Sequence, residues 1–396
     1  MTSLDTGRTD APRVFFFNDP VIRGIIYQIV VGAILVSFIA WIIHNTSVNL
    51  AAQNKTTGFD FLWKTAGFDI SFSLLPWSRA SYYWEAFAVG ILNTLLVAVI
   101  GIVLATILGF TIGIARLSTN FLVSTLATIY IETIRNIPLL LQLFFWYFAV
   151  LKTMPSVRDS LVMPLGSFIN QRGLYVPRPL PNEQFGWVWV GLALAILGVI
   201  VLRRWARKRL ETTGRRFPVF IASLAILFGV TALVWLVSGA SVDFELPELQ
   251  RFNFKGGLQL PPEFVAMLFG LTIYTASFIA ETVRAGIVAV NRGQTEAAQS
   301  LGLKDGDRLR LVIVPQAMRV IVPPLTSQYL NLTKNSSLGA AIGYAELTNV
   351  FAGTALNQTG RAIECIAMVM GVYLLLSLLT SLVMNWYNAR VRLVER

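Results

Sequence analysis

Five ionisable residues interrupt stretches that are otherwise apolar: Glu132, Arg135, Glu281, Arg284 and Lys334. A charge inside a run of hydrocarbon length is costly unless it faces protein or water, so each needs either a structural partner or a task in passing a polar solute. The first four form two i, i+3 pairs, which share a helix face and can neutralise each other. Pairing within each helix is the plainer expectation, and contact with a transported solute is the alternative. Lys334 sits among Gln328, Asn331, Thr333, Asn335, Ser336 and Ser337, behind Pro323 and Pro324, which should break the backbone ladder. Such a stretch is tolerated at membrane depth only if it is buried in protein or lines a watery cavity. Pathway lining is therefore expected, with Asn331, Lys334 and Ser336 as candidate contacts; the alternative for Lys334 is a snorkelling or packing lysine.

Other chemistries lack their residues. One histidine, His44, and one cysteine, Cys365, leave nothing from which to build a His- or Cys-clustered metal centre, a disulfide framework or a histidine triad. His44 lies at the end of an apolar run, as an interfacial residue would. No G-x-x-x-x-G-K-[ST] sequence occurs, so the chain has no P-loop for ATP, and no cofactor site is expected in it. The net charge of +11 raises the question of nucleic acid, but the basic residues fall in short loops between apolar runs, and membrane topology explains them without a nucleic-acid partner.

The elements that must position these residues follow from composition. The chain has 396 residues, 55% hydrophobic and 13% charged, where a soluble domain carries about a quarter charged residues. With about 20 apolar residues needed per crossing, eight candidate spans emerge, at 25–43, 87–115, 121–151, 186–202, 218–237, 264–290, 320–342 and 366–386. The expected fold is an all-α polytopic membrane protein. No small-residue cleavage site follows the first apolar stretch, which is read as a retained span rather than a signal peptide. Placing both termini in the cytoplasm puts nineteen Lys and Arg in the inside loops against ten in the much longer outside ones. Seven of the nineteen lie between the fourth and fifth spans; a topology signal is the simpler reading of them and an anionic-lipid patch the alternative. The outside connections, 44–86, 152–185 and 238–263, carry aromatic and proline-rich pieces suited to interfacial helices and ordered excursions over the bilayer.

The inside loop 291–315 has a pattern of its own. Ala297, Ala298 and Leu301 at i, i+1 and i+4 give a short helix a small apolar face, with Glu296, Gln299 and Ser300 pointing elsewhere. Gly302 can take the left-handed conformation that stops a helix, and Asp305 suits the N-cap of a second helix ending before Pro315. Helix, tight turn and helix would then be presented at the membrane surface for docking; a solvated loop with a glycine stop is the local alternative.

Glu296-Ala297-Ala298, three residues, Gly302, nine residues and then Val312-x-Val314-Pro315 resembles the EAA loop of permease subunits of bacterial ATP-binding-cassette importers, departing from it only by the two valines, where the family usually has isoleucine and leucine. Glu281-Thr-Val-Arg284 with Gly293-Gln294, Pro315-Gln316-Ala317 with Arg319, Lys334-Asn-Ser336-Ser337-Leu338 and Glu132-Thr-Ile-Arg135-Asn-Ile-Pro138 through Gln142 are similar to its polar amino-acid branch. So is the tract from Asn93 to Ser118, which contains the close-packing pattern Gly109-x-x-x-Gly113. The likeness covers about 86–150 and 264–390 and is greatest to permeases of general L-amino-acid or glutamate/glutamine/aspartate/asparagine importers. It implies a type I importer permease core of about eight transmembrane helices. The chain then divides into an N-terminal segment with the first span (1–85), a first part of the core (86–150), an insertion with two spans (151–263) and a second part of the core (264–396).

The resemblance further implies that Gln294, Glu296, Ala297, Ala298, Leu301, Gly302 and Pro315 couple the chain to a cytoplasmic ATPase dimer that holds ATP and Mg. It implies a second, homologous permease, a periplasmic amino-acid-binding protein, an L-amino-acid substrate and a bacterial inner membrane whose lipids surround the spans. An amino-acid zwitterion needs donors for its carboxylate and an acceptor for its ammonium, which Lys334 and Asn331 against Glu132 or Glu281 could supply. An ion-coupled secondary amino-acid transporter is the rival reading, since it too would carry intramembrane carboxylates and broken helices, but it offers no reason for the 291–315 pattern.

Overall fold

The computed structural model describes residues 20–52, 58–214 and 217–391. The topology charges Arg8, Arg13, Lys55, Arg215, Arg216, Arg392 and Arg396 lie outside the described residues. Twelve α-helices are described: α1 (Pro20–Ala52), α2 (Tyr83–Ala115), α3 (Phe121–Asn136), α4 (Leu139–Phe144), α5 (Gly186–Thr213), α6 (Val219–Ser238), α7 (Pro262–Val288), α8 (Arg292–Ser300), α9 (Asp305–Arg308), α10 (Val314–Asn335), α11 (Leu356–Thr359) and α12 (Ala362–Val391). The all-α polytopic fold is the one expected. Among the described residues seven helical stretches are long and apolar enough to cross a membrane, and an eighth is a bent pair.

That pair corrects the third expected span. Phe121–Asn136 and Leu139–Leu151 meet at 105°, so 121–151 is not one rod. Pro138 has no N–H to donate back and its ring crowds the preceding turn, which drives Ile137 to extended backbone at φ −99° and ψ 129°. The carbonyls freed at the break are taken up by buried Gln142, whose Nε2 donates to the oxygens of Ile134 at 2.9 Å and Ile137 at 3.0 Å.

The core lies between α2, α7 and α10. α2 and α7 approach closely because Gly109 faces Ile279 and Gly113 faces the carbonyl of Ala280, where a Cβ would stand 2.6 Å away in each case. Val97, Ala98 and Ala105 of α2 pack there with Leu271, Ile279 and Val283 of α7 and Ile321, Leu325 and Leu332 of α10. By contrast α1 is unburied along its span, and α5 and α6 pack mainly on each other, with Gly191 against Val234 and Gly198 against Ile226.

One expectation about the 291–315 loop is corrected. The helix does not end before Pro315: α9 passes through a wide turn, Leu309–Ile313, directly into α10. Hydrogen bonds from i to i+5 in that turn open the backbone where the proline ring would otherwise strike the carbonyl four residues back. Pro323 and Pro324 both lie inside α10, so the N–H groups they lack interrupt the ladder without ending the helix.

The connections around α5 and α6 form short strands rather than interfacial helices. Strands β1 (Leu161–Met163), β2 (Ser167–Asn170), β3 (Gly173–Val176) and β4 (Arg178–Pro181) precede the helical pair, and β5 (Val242–Glu245), β6 (Glu248–Gln250), β7 (Asn253–Lys255) and β8 (Leu258–Leu260) follow it. β3 pairs antiparallel with β8, Leu174 opposite Leu260, and β4 with β5, Arg178 opposite Glu245. These pairings tie the two ends of the insertion together where it joins α7.

Candidate functional site

At one end of the bundle the 291–315 segment is built from its caps inward. The side chain of Asn291 accepts from the N–H of Gly293 at 2.8 Å and starts α8. Gly302, at φ +72°, stops it: its own N–H donates to the oxygen of Gln299 at 2.8 Å, and that of Leu303 to Ala298 at 3.2 Å. This double bond pattern is the left-handed helix stop expected at that glycine. An added Cβ at Gly302 would meet open space, so the requirement for glycine is conformational.

The apolar face expected of α8 is divided. Ala298 is turned inward at 4% exposed, whereas Leu301 is 81% exposed and Glu296 and Ala297 lie outside with it. One alanine seats the helix on the protein, and the leucine stands free as a knob. Gln294 holds α8 to the start of α10, its Oε1 accepting from Nε2 of Gln316 at 3.2 Å. Asp305 does not cap by its side chain; Lys304 occupies the cap position, and Asp305 pairs with Arg308 at 3.0 Å. Pro315 is exposed on the first turn of α10.

Above this segment four of the five intramembrane charges, Glu132, Arg135, Glu281 and Arg284, gather with Arg116 into one cluster whose pairing is only partly the expected one. Arg284 does pair with Glu281, as a fork: Nε to Oε2 at 3.0 Å and the terminal nitrogen to Oε1 at 2.7 Å. Glu132, however, pairs with Arg116 at 3.1 Å and not with Arg135. Arg116 closes α2 and reaches both neighbouring helices, also meeting Glu281 at 2.5 Å. Arg135 lies over the ring of Phe278 at 5.1 Å, and its buried Nε has no hydrogen-bond partner. Three guanidinium groups thus share two carboxylates. A cleft of about 270 Å³ between α3, α7 and α10 opens beside the surplus one, lined by Arg135, Phe278, Glu281, Pro324 and Gln328 among others. A larger hollow of about 350 Å³ beside Trp187 and Leu233 has an almost wholly apolar wall and no chemistry of this kind.

Apart from Gln328, the polar residues of span seven do not converge on that cleft. The hydroxyls of Thr333, Ser336 and Ser337 donate to the carbonyls of Tyr329, Thr333 and Lys334 on their own helix, at 2.9, 2.7 and 2.8 Å. Ser336 is buried, while Asn331 and Lys334 are exposed.

Four residues escape sequence reasoning. In the sequence Arg116 reads only as a topology charge, and Gln142 only as part of a motif. Asn93, fully buried on α2, donates to the oxygens of Phe72 at 2.8 Å and Ala345 at 2.7 Å. Glu346, also fully buried, accepts from the N–H groups of Thr348 at 2.6 Å and Asn349 at 2.7 Å, and from the hydroxyl of Tyr373 at 3.0 Å. Burial pushes its carboxyl up to about 7 against the pull of those donors. A carboxylate just ahead of a short helical stretch is the only signal available for it.

The sequence profile of the family described as the binding-protein-dependent transport system inner membrane component matches residues 101–393. The chain belongs to this family. This inner membrane component is similar along nearly its whole length to the general L-amino acid transport system permease protein AapQ of Rhizobium johnstonii, at 51% identity over 96% of this chain and 94% of that protein. It is 43% identical to the glutamate/glutamine/aspartate/asparagine transport system permease protein BztB of Rhodobacter capsulatus, over 98% of this chain and 99% of that one. A solved amino acid ABC transporter with histidines aligns with 78% of this chain and 95% of its own, at 21% identity and a TM-score of 0.47. This inner membrane component therefore works in a transport system that depends on a binding protein, and its many apolar helices agree with that place in the membrane.

Proposed function

We propose that this chain is the permease subunit of an ATP-binding-cassette importer for general or polar L-amino acids. Its core, 86–150 and 264–396, forms the pathway, and 291–315 couples it to a separate ATPase. The observation that carries this reading is α8 itself: Ala298 seats it, Gly302 ends it, and exposed Glu296, Ala297 and Leu301 are offered outward on a helix joined by the short turn 301–304 to α9, which runs on into span seven. A push on α8 is therefore delivered to α10 through that short turn and the Gln294–Gln316 contact. The end carrying α8 is the cytoplasmic one, with both termini on that side. ATP and Mg belong to the ATPase, and a homologous second permease completes the pathway.

Solute contact is assigned to the cleft beside the charge cluster. Arg135 and Gln328 in its wall offer donors to a carboxylate, and half-exposed Glu132, in the adjoining cluster rather than in the wall itself, offers an acceptor to an ammonium. Glu281 and Arg284 hold the cluster's charge balance, and Asn331, Lys334 and Ser336 lie further along span seven toward the opposite end.

The test is uptake in proteoliposomes holding the full assembly, with and without ATP and binding protein, across a panel of L-amino acids. ATP-dependent uptake is expected. Uptake driven by an ion gradient in the absence of ATPase would instead establish the secondary-transporter reading.

A further inference from the structure

The α5–α6 pair carries a charged surface that neither the pathway nor the coupling segment uses. The apolar part of α5 ends at Leu202, yet the helix continues to Thr213. In this extension Arg203, Arg204, Arg207 and Lys208 are exposed, and their spacing places them within one broad helix face. Among the described residues, one carboxylate meets them, Glu211, which pairs with Arg207 at 3.2 Å.

Aromatic residues fix the depth of this face. Trp187 and Trp189 stand exposed at one end of α5 and Trp205 at the other. The 16 to 18 residues between them rise about 24–27 Å at 1.5 Å each, close to the thickness of a hydrocarbon core and typical of interfacial tryptophan belts. Arg203 and Arg204 therefore lie at the hydrocarbon boundary and Arg207 and Lys208 one turn beyond it, at headgroup level. Arg209 is folded back over Trp205 and Phe217, at 5.2 and 5.8 Å from their ring centres, which keeps its stem at the same boundary. Since α5 and α6 pack chiefly on each other, the bilayer is the surface that surrounds this face.

We infer that Arg203, Arg204, Arg207 and Lys208 form a binding surface for anionic phospholipid headgroups, which anchors the α5–α6 pair beside the transport core. Phosphodiester oxygens at headgroup depth match guanidinium and ammonium donors in charge and in position, and anionic lipid adds an attraction that zwitterionic lipid lacks.

The full importer, solubilised in mixed micelles of equal phosphatidylglycerol and phosphatidylcholine, is purified and its retained lipid measured by mass spectrometry. Several-fold enrichment of phosphatidylglycerol is expected, falling toward the input ratio in R203Q/R204Q/R207Q/K208Q and weakened by 0.5 M salt. The same charges help to orient the chain, so R207Q/K208Q, which keeps Arg203 and Arg204 at the boundary, should show an intermediate loss, and R203K/R204K/R207K should retain the enrichment. Unchanged enrichment in the fourfold variant overturns the inference. So does a variant that keeps its lipid but loses the ATPase on purification, which would make the face a protein contact.

Discussion

Arg116 at the end of α2 donates to Glu281 of α7 at 2.5 Å, and this contact makes one guanidinium the hub of a cluster spanning three helices. Arg116 is 18% exposed and Glu281 24%, so water screens the pair only in part. Arg116→Gln should lower stability by about 1–3 kcal/mol, as for loss of a charged hydrogen bond. It also leaves Glu132 unpaired. A double-mutant cycle with Glu281→Gln, read as apparent Tm of the purified assembly, should give a coupling energy of at least about 0.5 kcal/mol. Glu132→Gln alone should cost less, because Glu132 is 54% exposed. Additive effects of Arg116→Gln and Glu281→Gln would show that the contact does not hold the helices together.

Gly302 permits a cleaner test, because space is not the issue there. At φ +72° asparagine is tolerated and a β-branched residue is not. Gly302→Asn should therefore retain most ATP-driven uptake, whereas Gly302→Val should abolish it while the protein still inserts. Leu301→Asp, at a position 81% exposed, should leave apparent Tm unchanged but release the ATPase on purification. Full uptake in Gly302→Val and Leu301→Asp together would remove the coupling role from α8.

What can be read from sequence divides by the range of the interaction. The stop at Gly302, the close approach of another helix at Gly109 and Gly113 (though not that this helix is α7), and the pairing of Glu281 with Arg284 are local or follow from residue size, and each is legible. The partner of Glu132 is not. An i, i+3 spacing permits Arg135 but cannot register that Arg116, at the end of another helix, is nearer. The bend at Pro138 is signalled by proline, yet its magnitude depends on where Gln142 and α7 hold the two halves. The strands escape because each has three or four residues and pairs across an inserted helical hairpin, as β3 does with β8. Their alternation is too short to be seen in one sequence.

Gln142 should be more than a packing residue. Its amide satisfies two carbonyls that Pro138 leaves exposed to a non-aqueous interior. Gln142→Glu keeps the shape and removes both N–H donors, and Gln142→Leu removes the polar group altogether. Each should lower apparent Tm by an amount corresponding to about 1–3 kcal/mol, since the unmet carbonyl groups are common to both. Wild-type stability in Gln142→Glu would mean that other donors close the break.

Glu346 makes stability depend on pH in a direction opposite to that of a salt-bridged carboxylate. Its carboxyl is raised from the ordinary 4.5 to about 7, so between those values the folded protein holds a proton that the unfolded chain has released. Stability should therefore be greatest below about pH 4.5 as far as this group is concerned, decline as pH rises through the window, and level off above about 7. The upper bound on the loss is about 3 kcal/mol, at about 1.36 kcal/mol for each tenfold change in proton affinity. Glu346→Gln cannot ionise, and its amide oxygen can still accept one of the N–H groups of Thr348 and Asn349. The apparent Tm of Glu346→Gln minus that of wild type, followed from pH 5 to pH 8, should thus rise in favour of the variant up to about pH 7 and then level off. A difference that stays flat, or grows toward low pH, would show that the carboxylate is ionised throughout and is stabilised by its donors rather than strained by burial.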